Sequence, residues 1–387
     1  MNISNDIKYI GVNDRNITLF EGQYPLKNGM AYNSYVIFDE KIAVTDTVDK
    51  IAVSRWLEKL ENELCGRKVD YLIVQHLEPD HSAGIDALSE KFPEMKVVCS
   101  AGALKMLPNF CDVSLDRVMT VKENDTLCLG KHTLTFVMAP MVHWPEVMVT
   151  YDSTDKVLFS ADGFGKFGTV DADEDWTDEA RRYYINIVGK YGKQVQALLK
   201  KASALEIDTI CPLHGPILTD TIGEVLRLYD LWSSYTPEKK GVLIACASIH
   251  GNTLKAANEL KEMLEAKGES VVLFDLTKGD ISECVSLCFC YDRIVFMASS
   301  YDAGVFAPMS DLLHHLQSKS FQNRTVALCE NASWAPSGIR TMKAELEKCA
   351  DITILDKTVS IKTRLSEASR SCLLYTSPSP RDMRRSR

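Results

Sequence analysis

The chain has 387 residues, enough for two domains of ordinary size with a buried core in each. Its 53 acidic against 44 basic residues leave a formal net charge of −9, with no basic stripe to hold nucleic acid. No apolar run approaches the roughly 20 residues of a membrane-spanning helix, and the start, Met1-Asn2-Ile3-Ser4-Asn5-Asp6, lacks a secretory pattern, so a cytoplasmic protein is expected. The 12 cysteines form no Cys-x-x-Cys pair, which argues against a disulfide framework and an iron-sulfur knuckle; Cys288 and Cys290 read as small core residues.

From Ile7 to about Asp46 short apolar segments alternate with turn residues such as Asn28-Gly29, the pattern of antiparallel strands, with Val36-Ile37-Phe38 and Ile42-Ala43-Val44 as a hairpin. Ile51, Trp56, Leu57, Leu60 and Leu64 then repeat at helical spacing. Next comes Tyr71-Leu72-Ile73-Val74, a buried strand that ends abruptly in His76-Leu77-Glu78-Pro79-Asp80-His81. Pro79 can join neither a ladder nor a helix interior, so the cluster is expected on a tight loop beyond the strand's carboxyl end, where ligands bind in such sheets. In an extended loop His76, Glu78 and Asp80 are two apart and can converge on one centre, with His81 turned differently; this suits two adjacent metals better than one. Imidazoles and carboxylates without thiolate disfavour a structural zinc site and suit iron, manganese or a catalytic zinc pair.

A helix is expected from about Ser82 to Phe92, a strand at Val97-Val98-Cys99, a helix from Ala101 to Leu107, and strands near Leu127 to Leu129 and Leu134 to Met138, a β-rich sandwich with helices outside. Three more ligand candidates each follow an apolar run: His143 after Phe136-Val137-Met138, Asp162 before Gly163, and His214 before Gly215-Pro216. A helical span from Asp178 to Ala202, capped by Thr177 or Asp178, carries Tyr183 and Tyr184. A second helix near Thr221 to Leu231 leads to the polar link Ser233 to Lys240, which puts the first domain at residues 1–237.

The order His-x-Glu-x-Asp-His, followed by His143, Asp162 and His214, resembles the flavodiiron proteins, whose first domain is a metallo-β-lactamase-like αββα sandwich. The resemblance implies that His76, Glu78 and His143 hold one iron, that Asp80, His81 and His214 hold the other, and that Asp162 bridges them. It also implies that Tyr183 or Tyr184 reaches the site as a proton donor. Glu78 stands where zinc hydrolases of that superfamily carry His, and a carboxylate favours an iron that cycles between ferrous and ferric.

In the second domain, Gly241 to Ala247 is a buried strand that turns through Ser248-Ile249-His250-Gly251-Asn252-Thr253 into a helix. Hydroxyls and backbone N–H groups at a helix start make a phosphate cradle, and this one resembles the flavodoxin phosphate loop. Two further strands lead to Ser299-Ser300-Tyr301-Asp302-Ala303-Gly304 and to Glu330-Asn331-Ala332-Ser333-Trp334. In a doubly wound parallel sheet of flavodoxin order these α/β loops meet at the switch point, with Tyr301 and Trp334 walling the flavin. The residues implied for FMN are therefore Ser248 to Thr253, Ser300 to Gly304 and Asn331 to Trp334. Asp302 replaces the family's usual Asn and is expected to lower the flavin potential, and His250 stands where Tyr or Thr is common. The domain is assigned to residues 238–369. The stretch 370–387, without helical period and rich in arginine, reads as a non-native or disordered tail.

The resemblance implies a reductase of dioxygen to water, of nitric oxide to nitrous oxide, or both. It also implies a head-to-tail homodimer or dimer of dimers, and a separate electron donor such as rubredoxin, because no Cys-x-x-Cys module is present. A metallo-β-lactamase-like hydrolase with an accessory flavin domain is the alternative, and a pure electron carrier is the third reading, one that would need broken metal ligands where all seven are present.

Overall fold

The structure, a computed structural model, describes residues 1–375. It divides into two compact units, Met1–Asp230 and the residues from Leu231 onward.

In the first unit, one sheet of six strands runs in the order Ile7–Tyr9, Tyr35–Ile37, Ala43–Thr45, Tyr71–Val74, Lys96–Ser100 and Val118–Val121. The first two pairings are antiparallel and the rest parallel. The second sheet joins Thr126–Cys128, Thr133–Met138, Met148–Asp152 and Val157–Phe159 as antiparallel neighbours, with Thr209–Cys211 parallel at its edge. Strand alternation explains how both faces are used. Ile73 packs inward with Phe136, Met148 and Phe159 between the sheets, while Leu72 and Val74 face outward against Trp56, Leu60 and Leu64 of the helix Val53–Leu64. Each such buried aliphatic or aromatic side chain stabilises the fold by about 1.5–3 kcal/mol. On the other side, Leu198 and Ala202 of the helix Gly192–Ala202 cover Val137, Val149 and Leu158. The layers are helix, sheet, sheet, helix.

Four local expectations need correction. The helix expected over 82–92 is two pieces, Pro79–Ser82 and Ile85–Lys91. Pro79 takes the first helical position, where its missing N–H costs nothing, so Asp80 and His81 lie on a helical turn rather than in an extended loop. The span 178–202 is broken into Trp176–Tyr183, a π-helical turn Tyr184–Val188, a 3-10 turn Gly189–Tyr191 and the helix Gly192–Ala202. Its cap is Asp175, whose carboxylate accepts from the backbone N–H groups of Thr177 at 2.7 Å and Asp178 at 3.3 Å.

In the second unit the strands Lys239–Ala247, Val271–Asp275, Tyr291–Tyr301 and Arg324–Asn331 are all parallel, and Ile352–Ile354 and Val359–Ile361 both pair with the last. Numbered within the unit the order is 2-1-3-4-5, the flavodoxin order of a doubly wound sheet. Ala256, Ala257, Leu260 and Leu264 of the helix Asn252–Glu265 pack on one face against Ile244, Met297 and Cys329. The helices Ile281–Cys290, Ala307–Ser318 and Gly338–Leu346 pack together with these strands as well. The tail reading is also corrected in part, because Glu367–Tyr375 is a helix that adds Leu373, fully buried, to the same core, and Arg370 pairs with Glu259 at 2.7 Å. Among its described side chains one buried anchor is too little for a periodic signal. The remainder of that expected tail, residues 376–387, lies outside the described residues.

Candidate functional site

The candidate ligands collect beyond the strand ends of the first unit in two groups that could hold a metal, His76, Glu78, His143 and Asp162 in one and Asp80, His81 and His214 in the other, and Asp6, His132 and Asp155 form a third such group. In the first, Glu78 Oε2 lies 3.1 Å from His76 Nε2 and 3.0 Å from His143 Nε2. Asp162 Oδ2 lies 3.0 Å from His143 Nε2. In the second, Asp80 Oδ2 lies 3.3 Å from His214 Nε2 and 3.4 Å from His81 Nε2. Asp162 Oδ1 lies 3.2 Å from His81 Nε2, so one carboxylate turns an oxygen to each group. The expectation that His76, Glu78 and Asp80 meet at one centre is therefore overturned. The helical turn begun by Pro79 swings Asp80, with His81, to the other group.

The donors fit metal ions better than they fit one another. His214 Nδ1 stands 2.7 Å from the Ala31 carbonyl, which can only accept, so Nδ1 donates there and Nε2, 3.0 Å from His81 Nε2, is the atom turned to the site. Both oxygens of Asp80 and Oδ1 of Asp162 are buried without a hydrogen-bond partner. Acceptors that face acceptors in a buried pocket call for cations. Two donors bound side by side at about 2.1 Å from one ion stand about 3 Å apart, which is the spacing found. The field agrees. Burial opposes charging His143, yet hydrogen bonds to Asp162 and Glu78 push its imidazole up to about 9. Burial likewise opposes ionising Glu78, and its contacts with His143 and His76 hold its carboxyl down to about 2.

Of the two tyrosines, Tyr183 is the one at this site, its ring 5.6 Å from that of His214, whereas Tyr184 packs on Tyr229 at 5.0 Å. Burial and the Asp162, Glu78 and Asp80 carboxylates keep the Tyr183 phenol protonated, well above its ordinary range. Two supporting acids escaped the sequence reading. Asp46 accepts from the backbone and the side chain of Gln75, both at 2.8 Å, and fixes the approach to His76. Glu146 Oε1 lies 2.8 Å from His76 Nδ1. Asp46 carries the signal used for the ligands, an acid closing a buried strand; Glu146 follows Pro145 in the His143 segment and had no pattern of its own.

In the second unit, the three loops beyond the central strands enclose a cavity of about 730 Å³, within the usual range for a cofactor site. Ser248, Ile249, His250, Asn252, Thr253, Ser300, Tyr301, Asp302, Ala303, Asn331, Ala332, Ser333 and Trp334 all line it. Gly251 and Gly304 do not. Gly251 sits at the start of the helix Asn252–Glu265 with φ +86°, and Gly304 opens the two-residue strand Gly304–Val305. The lining also takes in Ser299, Ala335, Pro336, Ser337, Arg340 and Thr363, which the sequence reading did not assign. Hydroxyls and a helix start at one end, with Tyr301 and Trp334 left 51% and 82% exposed beside the opening, fit a phosphate-bearing aromatic cofactor. Among the described residues no helix is long and apolar enough to cross a membrane.

A family model described as ODP family beta lactamase matches residues 30–215. The anaerobic nitric oxide reductase flavorubredoxin of Vibrio vulnificus is 26% identical over 96% of this chain and 78% of its own length. Among solved structures, the flavodiiron protein from Giardia intestinalis superposes with a TM-score of 0.90 at 25% identity, covering 97% of this chain and 95% of that one. The rubredoxin oxygen:oxidoreductase from the anaerobe Desulfovibrio gigas gives 0.89 at 26% identity, covering 97% and 96%. A single continuous chain is thus similar over nearly its whole length to flavodiiron proteins, oxidoreductases that carry FMN and a non-heme diiron centre.

Proposed function

We propose that this protein reduces dioxygen to water, nitric oxide to nitrous oxide, or both, with electrons delivered through FMN from a rubredoxin-type donor. The observation that carries the reading is Asp162, one buried carboxylate with an oxygen toward each ligand group. When bound, the irons and FMN supply the electron storage and small-molecule activation that amino-acid side chains lack. In this reading His76, Glu78 and His143 would hold one iron and Asp80, His81 and His214 the other, with Asp162 offering an oxygen to each.

The remaining residues orient and supply. Glu146 and the Ala31 carbonyl set the ring orientations of His76 and His214. Trp144 stands perpendicular to the His76 ring at 5.1 Å and shields it from water. Tyr183 holds a phenolic proton beside His214. In the flavin cavity Ser248, Asn252 and Thr253 serve the phosphate, and Tyr301 and Trp334 flank the ring. The exposed apolar rim of Ile249, Tyr301 and Trp334 supports a second copy of the chain as its cover, arranged head to tail so that each flavin serves the other chain's irons.

The test is rapid mixing of the anaerobically reduced, iron- and FMN-loaded protein with dioxygen and, separately, with nitric oxide. Fast flavin reoxidation with water or nitrous oxide as product is expected. Slow reoxidation by both gases with release of hydrogen peroxide would overturn the reading, and zinc in place of iron would favour a hydrolase.

A further inference from the structure

The two ligand groups are similar in the residues that face the metals and different in what stands behind them. In the first, His76 Nδ1 donates to Glu146 Oε1 at 2.8 Å, and the same oxygen accepts from the Leu77 backbone at 3.0 Å. Both side chains are fully buried. In the second, His214 Nδ1 donates to a neutral backbone carbonyl, that of Ala31, and His81 Nδ1 is buried with no hydrogen-bond partner. A carboxylate behind an imidazole makes the ring a stronger electron donor; a carbonyl does less, and an absent partner does nothing.

Glu146 is itself firmly held. Its carbonyl accepts from Ser100 Oγ at 2.7 Å, and that hydroxyl also caps the helix Ala101–Met106 by accepting from the Ala103 N–H at 3.0 Å. A Cβ on Gly102 would come within 3.2 Å of Glu146 Cα and Cβ, so a residue without one lets the helix start close on this segment. The segment that supplies His143 therefore also fixes His76. Two of the four donors of the first group depend on one short rigid stretch.

We infer that Glu146 is a positioning residue that makes the two metal positions inequivalent. The position formed by His76, Glu78, His143 and Asp162 binds its ion more tightly and holds the ferric state more strongly. The position formed by Asp80, His81 and His214 is the labile one. The inference rests on the ligand assignment under Proposed function and adds an order of occupancy to it.

The full chain, loaded with two ferrous ions without oxygen, is titrated with a chelator while iron retained per chain is counted, and the midpoint potential of each iron is measured. Wild type is expected to release iron in two steps, with Asp80→Ala abolishing the weaker one. Glu146→Gln keeps the size and removes the charge. It is expected to weaken the tighter step by about 10- to 100-fold, leave the weaker step in place and raise the lower iron potential, with partial recovery in Glu146→Asp. A purely structural role would move both steps together. One-step release from wild type, equal movement of both steps in Glu146→Gln, or movement of the weaker step alone overturns the inference while leaving the ligand assignment standing. Wild-type protein that binds fewer than two irons overturns the assignment as well.

Discussion

The two domains solve the problem of holding a redox group in opposite ways. The diiron domain buries its polar groups: His81 and His214, 133 positions apart in the chain, meet inside the protein at 3.0 Å in a cluster of imidazoles and carboxylates. The flavin domain leaves its pocket at the rim, in three loops next to one another across a parallel sheet, with its largest aromatic side chains in the open. A metal needs several charged donors converging at fixed distances, which only a rigid buried frame provides. A flat cofactor needs surface, a phosphate cradle and little charge. Damage to the first domain should therefore be abrupt and chemical, and damage to the second gradual and conformational.

Asp162→Ala should give the largest effect, because it removes an oxygen from both groups at once. Iron should fall below one per chain, and gas reduction by at least about 100-fold, with FMN content unchanged. Metal analysis of the purified variant checks this, and two retained irons would break the comparison. Leu373→Ala should next destabilise the flavin domain by about 2–5 kcal/mol through the cavity it leaves, with iron content untouched. Denaturant unfolding followed by FMN release measures it, and an unchanged midpoint would mean that the helix Glu367–Tyr375 adds nothing to the core.

Gly251→Ala should be milder. A Cβ there meets nothing within 4 Å, so the cost is that of a left-handed backbone, about 1–2 kcal/mol, seen as weaker FMN retention by dialysis. Full retention would show that the helix start does not depend on that conformation.

The smallest effect is one of pH in the first domain. Burial disfavours the charged form of His132, but the hydrogen bond to Asp152 at 2.9 Å and the contact with Asp6 at 3.3 Å raise its affinity for a proton above the ordinary value. A raised folded-state value means that its stabilisation is complete below the unfolded value of about 6.5 and is lost as pH rises through the folded one. The urea midpoint of this domain should fall between pH 6 and 9 in wild type and change less in His132→Gln. Parallel curves would remove His132 from the account.

Much of this was legible in the residues themselves. The apolar run ending in His76 marks a strand and its functional end, because a strand buried on both faces admits no polar residue until it leaves the sheet. The same logic found Asp162 and His214, and the Ser, Gly, Asn and Thr turn after Ala247 marked the flavin cavity. Hidden from it were the break at Tyr184 and the choice of Tyr183 over its neighbour, since one residue along a helix turns a side chain by about 100° and only the packing of Phe167 and Tyr229 decides which one meets His214.

Chain order alone determined the kinds of donor, their sites at strand ends, the two-domain plan and the flavin loops, because these follow from local pattern and residue chemistry. The division of the seven donors into two groups with Asp162 facing both was implied only by the resemblance and is a tertiary relation, as is the placing of Glu146 behind His76 with no carboxylate behind His214. Those are relations between segments far apart in the chain. They are set by the angle at which a proline-started turn leaves its strand and by the packing of one helix start on the segment after His143, and no single stretch of sequence contains them.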